Sequence, residues 1–258
     1  MLEAFTPAAP VHTLSGIARH TGLPLTTTHR LVGELAQWGA LERDAHGAYR
    51  IGLRLWEIAS LAPRGLGLRE LALPQLSDLV HVTGENAQLA VREDLSVVFV
   101  ERLAGRGAVP VLTRVAGRFA LMPTGVGRVL LAYAPPDVQE RVLAGPPARC
   151  TPETVCEPAV LRQLLAEVRR TGVAICERQV TLDSVSVAAP VHGPGGDVVA
   201  AVSVVARAGG VQPHTLVPLV QIAARGISRS LGADPVPRPA AGVTGRAPAD
   251  RSGTATHR

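Results

Sequence analysis

The tripeptide Gly22-Leu23-Pro24 constrains this chain more than any other short segment. Glycine readily takes positive φ and proline cannot continue a helix, so the tripeptide separates two helical patterns. The first is Leu14–Thr21, with Thr13 placed to cap its start, and the second runs from about Leu25 to Trp38. On the second, Leu31, Leu35 and Trp38 fall at i, i+4 and i+7 and predict the buried stripe. Thr26, Thr27, His29, Arg30 and Gln37 are left mostly outside. This is a helix–turn–helix pattern whose second helix has a polar N-terminal half, the end that enters the major groove in such motifs. Small hydroxyls suit phosphate and base-edge contacts, and Arg30 can pair with phosphate or guanine.

Leu41–Asp44, the turn Ala45-His46-Gly47 and Ala48–Ile51 predict a β-hairpin, or wing, along which Arg43, His46 and Arg50 can follow a duplex backbone. A small helical domain with a solvated polar face has the same spacing, so the pattern alone leaves both readings open. Charge does not separate them. The chain carries a net +5, and all 26 of its basic residues are arginine. Within residues 1–52, however, Arg19, Arg30, Arg43 and Arg50 are balanced by Glu3, Glu34, Glu42 and Asp44. Only local placement can then argue for nucleic acid.

Residues 53–83 read as helices, with Leu53, Leu55, Ile58, Leu61 and then Leu68, Leu71, Leu76 and Leu79, interrupted at Pro63-Arg64-Gly65. Beyond them, alternating runs at Gln88–Val91, Val97–Glu101, Val109–Val115, Val185–Val191 and Val198–Val205 predict strands. Helical patterns recur at Gly127–Tyr133, Val138–Leu143, Ala159–Thr171 and Thr215–Leu231. The tight turn Gly193–Gly196 favours an antiparallel sheet with helices packed on it over a doubly wound parallel one. Because only 3% of residues are aromatic, the core must be built from Leu, Val, Ile and Ala. The expected organisation is 1–62 for the helix–turn–helix domain and the start of a linker helix, 63–70 for a linker, 71–232 for a second domain, and 233–258 for a disordered tail. No apolar run approaches the ~20 residues of a membrane span and no signal peptide is visible, which predicts a cytoplasmic protein. Cys150, Cys156 and Cys176 lack zinc-ligand spacing, so no metal is expected.

Two features of the second domain carry chemistry. Thr124-Gly125-Val126-Gly127 opens a helix, where unpaired N–H groups and the positive end of the dipole suit a carboxylate and glycine permits close approach. A plain tight turn is the alternative. Lys-Ser/Thr is missing after the second glycine, so the segment is not a P-loop. On the predicted strands, Ser184, Ser186 and Ala188 share one face, as do Ala201, Ser203 and Val205. Ser186 and Ser203 are therefore candidate hydroxyl donors in an apolar cavity, or else ordinary strand serines. Ser186, His192 and Asp197 are the residue types of a hydrolytic triad, but no Gly-x-Ser-x-Gly elbow exists and all three lie in one hairpin. With no paired acids or nucleotide fingerprint elsewhere, neither an enzyme nor a cofactor is expected.

The run Leu14–Leu31, the segments Leu41–Asp44 and Gly47–Leu55, Phe119–Ala132, Leu164–Val173 and Ser184–Val191 together resemble the IclR-type family of bacterial transcription regulators, in the family's order over about residues 11–232. The resemblance implies an α+β protein made of an N-terminal winged helix-turn-helix, a linker helix and a GAF- or profilin-like antiparallel-sheet sensing domain. It implies double-stranded operator DNA as one partner, a small carboxylic acid as effector, and a homodimer or dimer-based tetramer. DNA contacts are expected from Thr26, Thr27, His29, Arg30, Arg43 and Arg50. Effector contacts map by resemblance to Val111, Met122, Gly125, Val126, Cys176, Ser184, Ser186 and Ser203.

The departures are specific. Family members usually carry a full helix ahead of Leu14, where Met1–Phe5 and Thr6-Pro7-Ala8-Ala9-Pro10 stand here. A helix that short is expected to cover the winged-helix core poorly, so loss of DNA binding is the alternative function. Leu25 stands where many members have a basic residue, Thr28 where they have an apolar one, Cys176 where a carboxylate can occur, and Asp183 where glycine is usual.

Overall fold

In a computed structural model, which describes residues 1–233, the helix–turn–helix begins with α1 (Leu14–Thr21) and α2 (Leu25–Trp38). Thr13 Oγ1 accepts the Gly16 N–H at 3.1 Å, and Gly22 ends α1 at φ 68°. Strands β1 (Val11–His12), β2 (Leu41–Arg43) and β3 (Tyr49–Ile51) form an antiparallel sheet in the order β1-β3-β2. The hairpin turn is held by Asp44 Oδ1, which accepts the N–H groups of His46 and Ala48 at 2.9 Å each.

The buried face of α2 differs from the expected one. Thr28 and Val32 are buried and Leu35 packs on the core, while Trp38 is 51% exposed. A threonine can take the core position because its hydroxyl donates to the Pro24 carbonyl at 3.0 Å, leaving its methyl to pack. The core consists of Ile17, Val32, Leu41 and Tyr49. The N-terminal segment, a single 3₁₀ turn at Leu2–Ala4, contributes more than expected. Met1, Leu2 and Phe5 pack on this core, Ala4 is buried, and the Ala4 carbonyl meets His12 Nε2 at 2.8 Å.

Helix α3 (Leu53–Ala59) has no buried residue, and Leu53, Trp56 and Leu61 project large apolar groups outward. A π-helical turn (Pro63–Gly67) joins it to α4 (Leu68–Thr83).

The second unit is a six-stranded antiparallel sheet. Its strands are β4 (Asn86–Glu93), β5 (Ser96–Leu103), β6 (Arg118–Ala120), β7 (Ala174–Glu177), β8 (Ser184–His192) and β9 (Val198–Arg207), in the order β6-β5-β4-β9-β8-β7. Period-two alternation gives the sheet two apolar faces. Leu89, Val187, Val202 and Val204 meet α4 and α8 (Pro213–Ser230), while Ala90, Ala188 and Ala201 meet α5 (Gly125–Ala132), α6 (Pro136–Ala144) and α7 (Pro158–Thr171). The result is three layers, helices on both faces of one sheet.

Residues 109–115 were expected as a strand and instead form an irregular segment. Its polar groups are met by side chains of β4 rather than by a ladder: Asn86 Nδ2 donates to the Val109 carbonyl at 2.8 Å and Gln88 Nε2 to Thr113 Oγ1 at 2.6 Å. Pro110 could not have donated to a ladder. The tail expectation falls, apart from Ala233, outside the described residues.

Candidate functional site

The start of α5 is set by a side-chain cap and by close packing on β8. Thr124 caps the helix by accepting the Gly127 N–H at 3.1 Å. The N–H groups of Gly125 and Val126 then lie in the first turn, where no intrahelical carbonyl can reach them. Gly125 presses on β8, and a Cβ added there would come within 2.6 Å of Ser186 Oγ and 3.2 Å of Ala188 Cβ. A cavity of about 40 Å³ opens beside this helix start. It is lined by Gln88 of β4, Val111–Thr113, Pro123–Val126, Cys176 of β7, Val180 and Thr181, Ser184 and Ser186 of β8, and Val205 of β9. Every lining side chain is uncharged.

Of the residues expected around an effector, Val111, Gly125, Val126, Cys176, Ser184 and Ser186 line this one cavity. Met122 lies outside it, facing a separate space with Leu95 and Leu161. Ser203 lies in the wall rather than at the surface. It is fully buried, and its Oγ has no partner among the described residues. Its register neighbours are Gln88 on one side and Ala188 on the other. Burial pushes the Cys176 thiol pKa up, and the nearby charge of Arg128 partly offsets this. Sequence patterning did not single out Gln88, Thr113 or Thr181. Asn86 and Gln88 alternate with Ala87 and Leu89, so a polar face on this strand was already visible at period two.

Ser186, His192 and Asp197 are not assembled as a triad. His192 lies six residues along β8 from Ser186, about 20 Å at strand rise. Its Nδ1 sits 2.8 Å from the Gly196 carbonyl and its ring lies edge-on to Tyr133. Among the described residues no cluster of three metal-ligating side chains occurs.

On the winged helix, Thr26, His29, Arg30, Arg43 and Arg50 are exposed and Thr27 is half-buried. Two of the arginines are already paired: Arg30 with Glu34 at 2.6 Å, and Arg50 with Glu42 at 2.8 Å. Arg43 lies over the Tyr49 ring, 5.6 Å from its centroid. Glu42 also accepts the Leu53 N–H, which, with Arg50, holds its carboxyl below the ordinary range.

A helix–turn–helix with a wing, followed by a helix-flanked sheet enclosing a small cavity, defines a DNA-binding, ligand-sensing class of protein. Comparison with known proteins narrows this. The profile for the IclR helix-turn-helix domain matches residues 1–45, and that for the bacterial transcriptional regulator IclR C-terminal domain matches residues 62–229. The chain belongs to the IclR family of DNA-binding transcription regulators. It is 33% identical over 227 residues to the glycerol operon regulatory protein of Streptomyces coelicolor, covering 85% of this chain and 89% of that one. It is 30% identical over 185 residues, 71% of each chain, to the HTH-type transcriptional regulator RhmR of Escherichia coli. Among solved structures, an IclR homologue complexed with 4-hydroxybenzoate from Microbacterium hydrocarbonoxydans superposes with a TM-score of 0.85 at 38% identity, covering 89% of this chain and 95% of that one. Among the described residues no helix is long and apolar enough to cross a membrane.

The unpartnered Ser203 hydroxyl gives a direct test of the cavity wall. Removing a buried unsatisfied oxygen relieves a desolvation cost, so Ser203→Ala is expected to leave the ligand-free protein as stable or more stable by about 1 kcal/mol. Chemical denaturation measures this, and a loss of stability would mean that the oxygen is bonded in solution.

Proposed function

We propose that operator binding by this regulator is controlled by a small carboxylic acid held at the start of α5. The observation that carries the reading is the pair of first-turn N–H groups at Gly125 and Val126, opening into a cavity of hydroxyls and apolar side chains. Such a set recognises an anion by backbone donors and encloses its organic part by contact. That a 38% identical relative is complexed with 4-hydroxybenzoate supports the ligand class. As described, the cavity has room for about three water molecules. A ring-sized acid therefore requires the segments around Leu112 or Val180 to give way, and this movement is how binding becomes a change of state. The acid alters DNA binding only through its differential affinity for the two states.

A titration of small aromatic and aliphatic carboxylic acids by thermal shift and calorimetry tests this. Ser186→Ala is expected to weaken a bound acid about 5- to 150-fold. Gly125→Val is expected to weaken it more, because its side chain cannot fit between α5 and Ser186 and pushes the helix start off β8. Acid binding indifferent to both substitutions would place the ligand elsewhere.

DNA is read by Thr26, Thr27, His29 and Arg30 on α2, with Arg43 and Arg50 on the wing following the backbone. Arg30 and Arg50 exchange their glutamate partners for DNA in this reading. Arg30→Ala is expected to cost about 1–3 kcal/mol at the operator if it reads a base. Arg50→Ala is expected to weaken all sequences alike and flatten the salt dependence. Gel-shift titrations at several salt concentrations check both, and unchanged affinity in the two variants would remove this face from the interface.

The chain acts as a homodimer or dimer-based tetramer, joined through the apolar surface of α3 and its surroundings. Leu53, Trp56 and Leu61 are 62%, 61% and 79% exposed, more apolar surface than a small domain leaves to water without a partner. Two-fold symmetry then presents two α2 helices to two half-sites. Sedimentation is expected to show a dimer or larger at micromolar concentration, and a monomer would refute this arrangement.

A further inference from the structure

We propose that Arg128 is the buried counter-charge for the effector's acid group, so that the cavity selects a carboxylate over a neutral analogue although no charged side chain lines it. The inference rests on the reading of the cavity given above.

Arg128 sits in the first turn of α5, three residues after Gly125, and is only 3% exposed. A guanidinium carries five donors and keeps its charge at any ordinary pH. Here Nη1 and Nη2 reach only backbone carbonyls, those of Ile175 at 3.5 Å and Met122 at 3.3 Å. Nε has no partner among the described residues, and the acid that shares a cavity with Arg128, Glu167, pairs instead with Arg170 at 3.8 Å. A buried cation so poorly met is costly. Its location adds to the cost, because helical side chains lean toward the helix N-terminus, which places this charge beside the positive end of the α5 dipole.

The Arg128 side chain itself lines a separate space of about 180 Å³ with Leu164, Glu167 and His214, and meets the effector cavity only from behind its wall. Ile175 is the chain neighbour of Cys176, and Met122 is the chain neighbour of Pro123. Both Cys176 and Pro123 line the cavity. The guanidinium therefore stands one residue behind the wall on two sides. The Cys176 thiol feels this charge, which favours its ionised form against burial. An incoming carboxylate would relieve the cost of both the guanidinium and the dipole at once, whereas a carboxamide of the same shape would relieve neither. Arg128 needs no contact with the ligand to do this, since Coulomb interaction in a protein wall reaches across a layer of side chains. A unit charge behind such a wall alters affinity on the order of tenfold.

The experiment measures 4-hydroxybenzoate and 4-hydroxybenzamide by calorimetry on the wild type, Arg128→Met and Arg128→Lys, with thermal unfolding of each ligand-free protein. The wild type is expected to prefer the acid by about tenfold or more. Arg128→Met is expected to lose that preference by weakening the acid alone, and Arg128→Lys to keep most of it. Ligand-free Arg128→Met is expected to unfold at the same or a higher temperature, because methionine fills the space without an unmet charge. A methionine variant that keeps the acid preference overturns the proposal. So does one that unfolds earlier and weakens both probes equally, because Arg128 would then be a structural tie. Binding of neither probe by the wild type would count against the cavity reading itself, and the proposal would fall with it.

Discussion

The start of α5 lies so close to strand β8 that no side chain fits between them. A Cβ at Gly125 would meet Ser186 Oγ at 2.6 Å, and one at Gly127 would overlap the Leu121 carbonyl oxygen. Two glycines at i and i+2 let the helix backbone come directly against the strand and the preceding turn, so that Gly125 and Val126 line the cavity. Much of the second unit depends on this contact. It fixes α5 against the Ala188–Ala201 face of the sheet, and it buries the helix on all sides, so that Gly125 through Ala132 are without exception buried. Arg128 is carried into the interior with them. The small residues of this sheet face, Ala90, Ala188 and Ala201, are the other half of the fit, because larger groups would hold the helix away.

The winged helix shows a different economy. Its charges cancel, and the arginines suited to phosphate are engaged with glutamates on the same surface. Exposed pairs of this kind contribute little to stability, so exchanging them for phosphates costs little. What they do is lower the long-range attraction to any duplex, leaving affinity to depend on close fit. Glu42 has a second task. By accepting the Leu53 N–H it ties the wing to the first residue of α3, and that tie is present above the ordinary carboxylate range and weakens as falling pH protonates the group.

How much of this was legible in sequence depended on whether a residue's environment was local. Gly22 and Pro24 marked the break between α1 and α2, and Thr13 marked the cap, because backbone conformation is decided within a turn. The strands β8 and β9 were visible from alternation, and the helix start at Gly125 from its glycines. The buried stripe of α2 was misjudged because the pattern assumes that polar residues face water. Thr28 reaches the core only because the Pro24 carbonyl, four residues back, accepts its hydroxyl. Residues 109–115 alternate like a strand, yet their pairing is taken by Asn86 and Gln88 side chains from more than twenty residues away. That partnership leaves no mark in the segment itself. The cavity residues divided in the same way. Ser186 shared a face with Ser184 in any strand, but the distinction between Ser186 at the surface of the cavity and Ser203 within its wall required the helix above them.

Strand β4 gives the cavity a physical route to the rest of the molecule. Alternation places Gln88 toward the cavity, while its neighbours Ala87 and Leu89 pack against the α4 face. Beside it, on β5, Glu101 is buried and pairs at 2.5 Å with Arg69 at the start of α4, the helix that follows the linker turn. A displacement of Gln88 toward or away from Thr113 cannot leave Leu89 where it was, because close-packed interiors shift between discrete arrangements rather than yielding smoothly. Ser203 Oγ in the cavity wall and Arg128 Nε behind it have no partner among the described residues, so the arrangement seen here is less than fully satisfied. Interiors seldom leave such groups unpaired. A second arrangement that satisfied them would lie closer in energy than in a wall already complete, and strand β4, with Gln88 at the cavity and Leu89 on the α4 face, borders both.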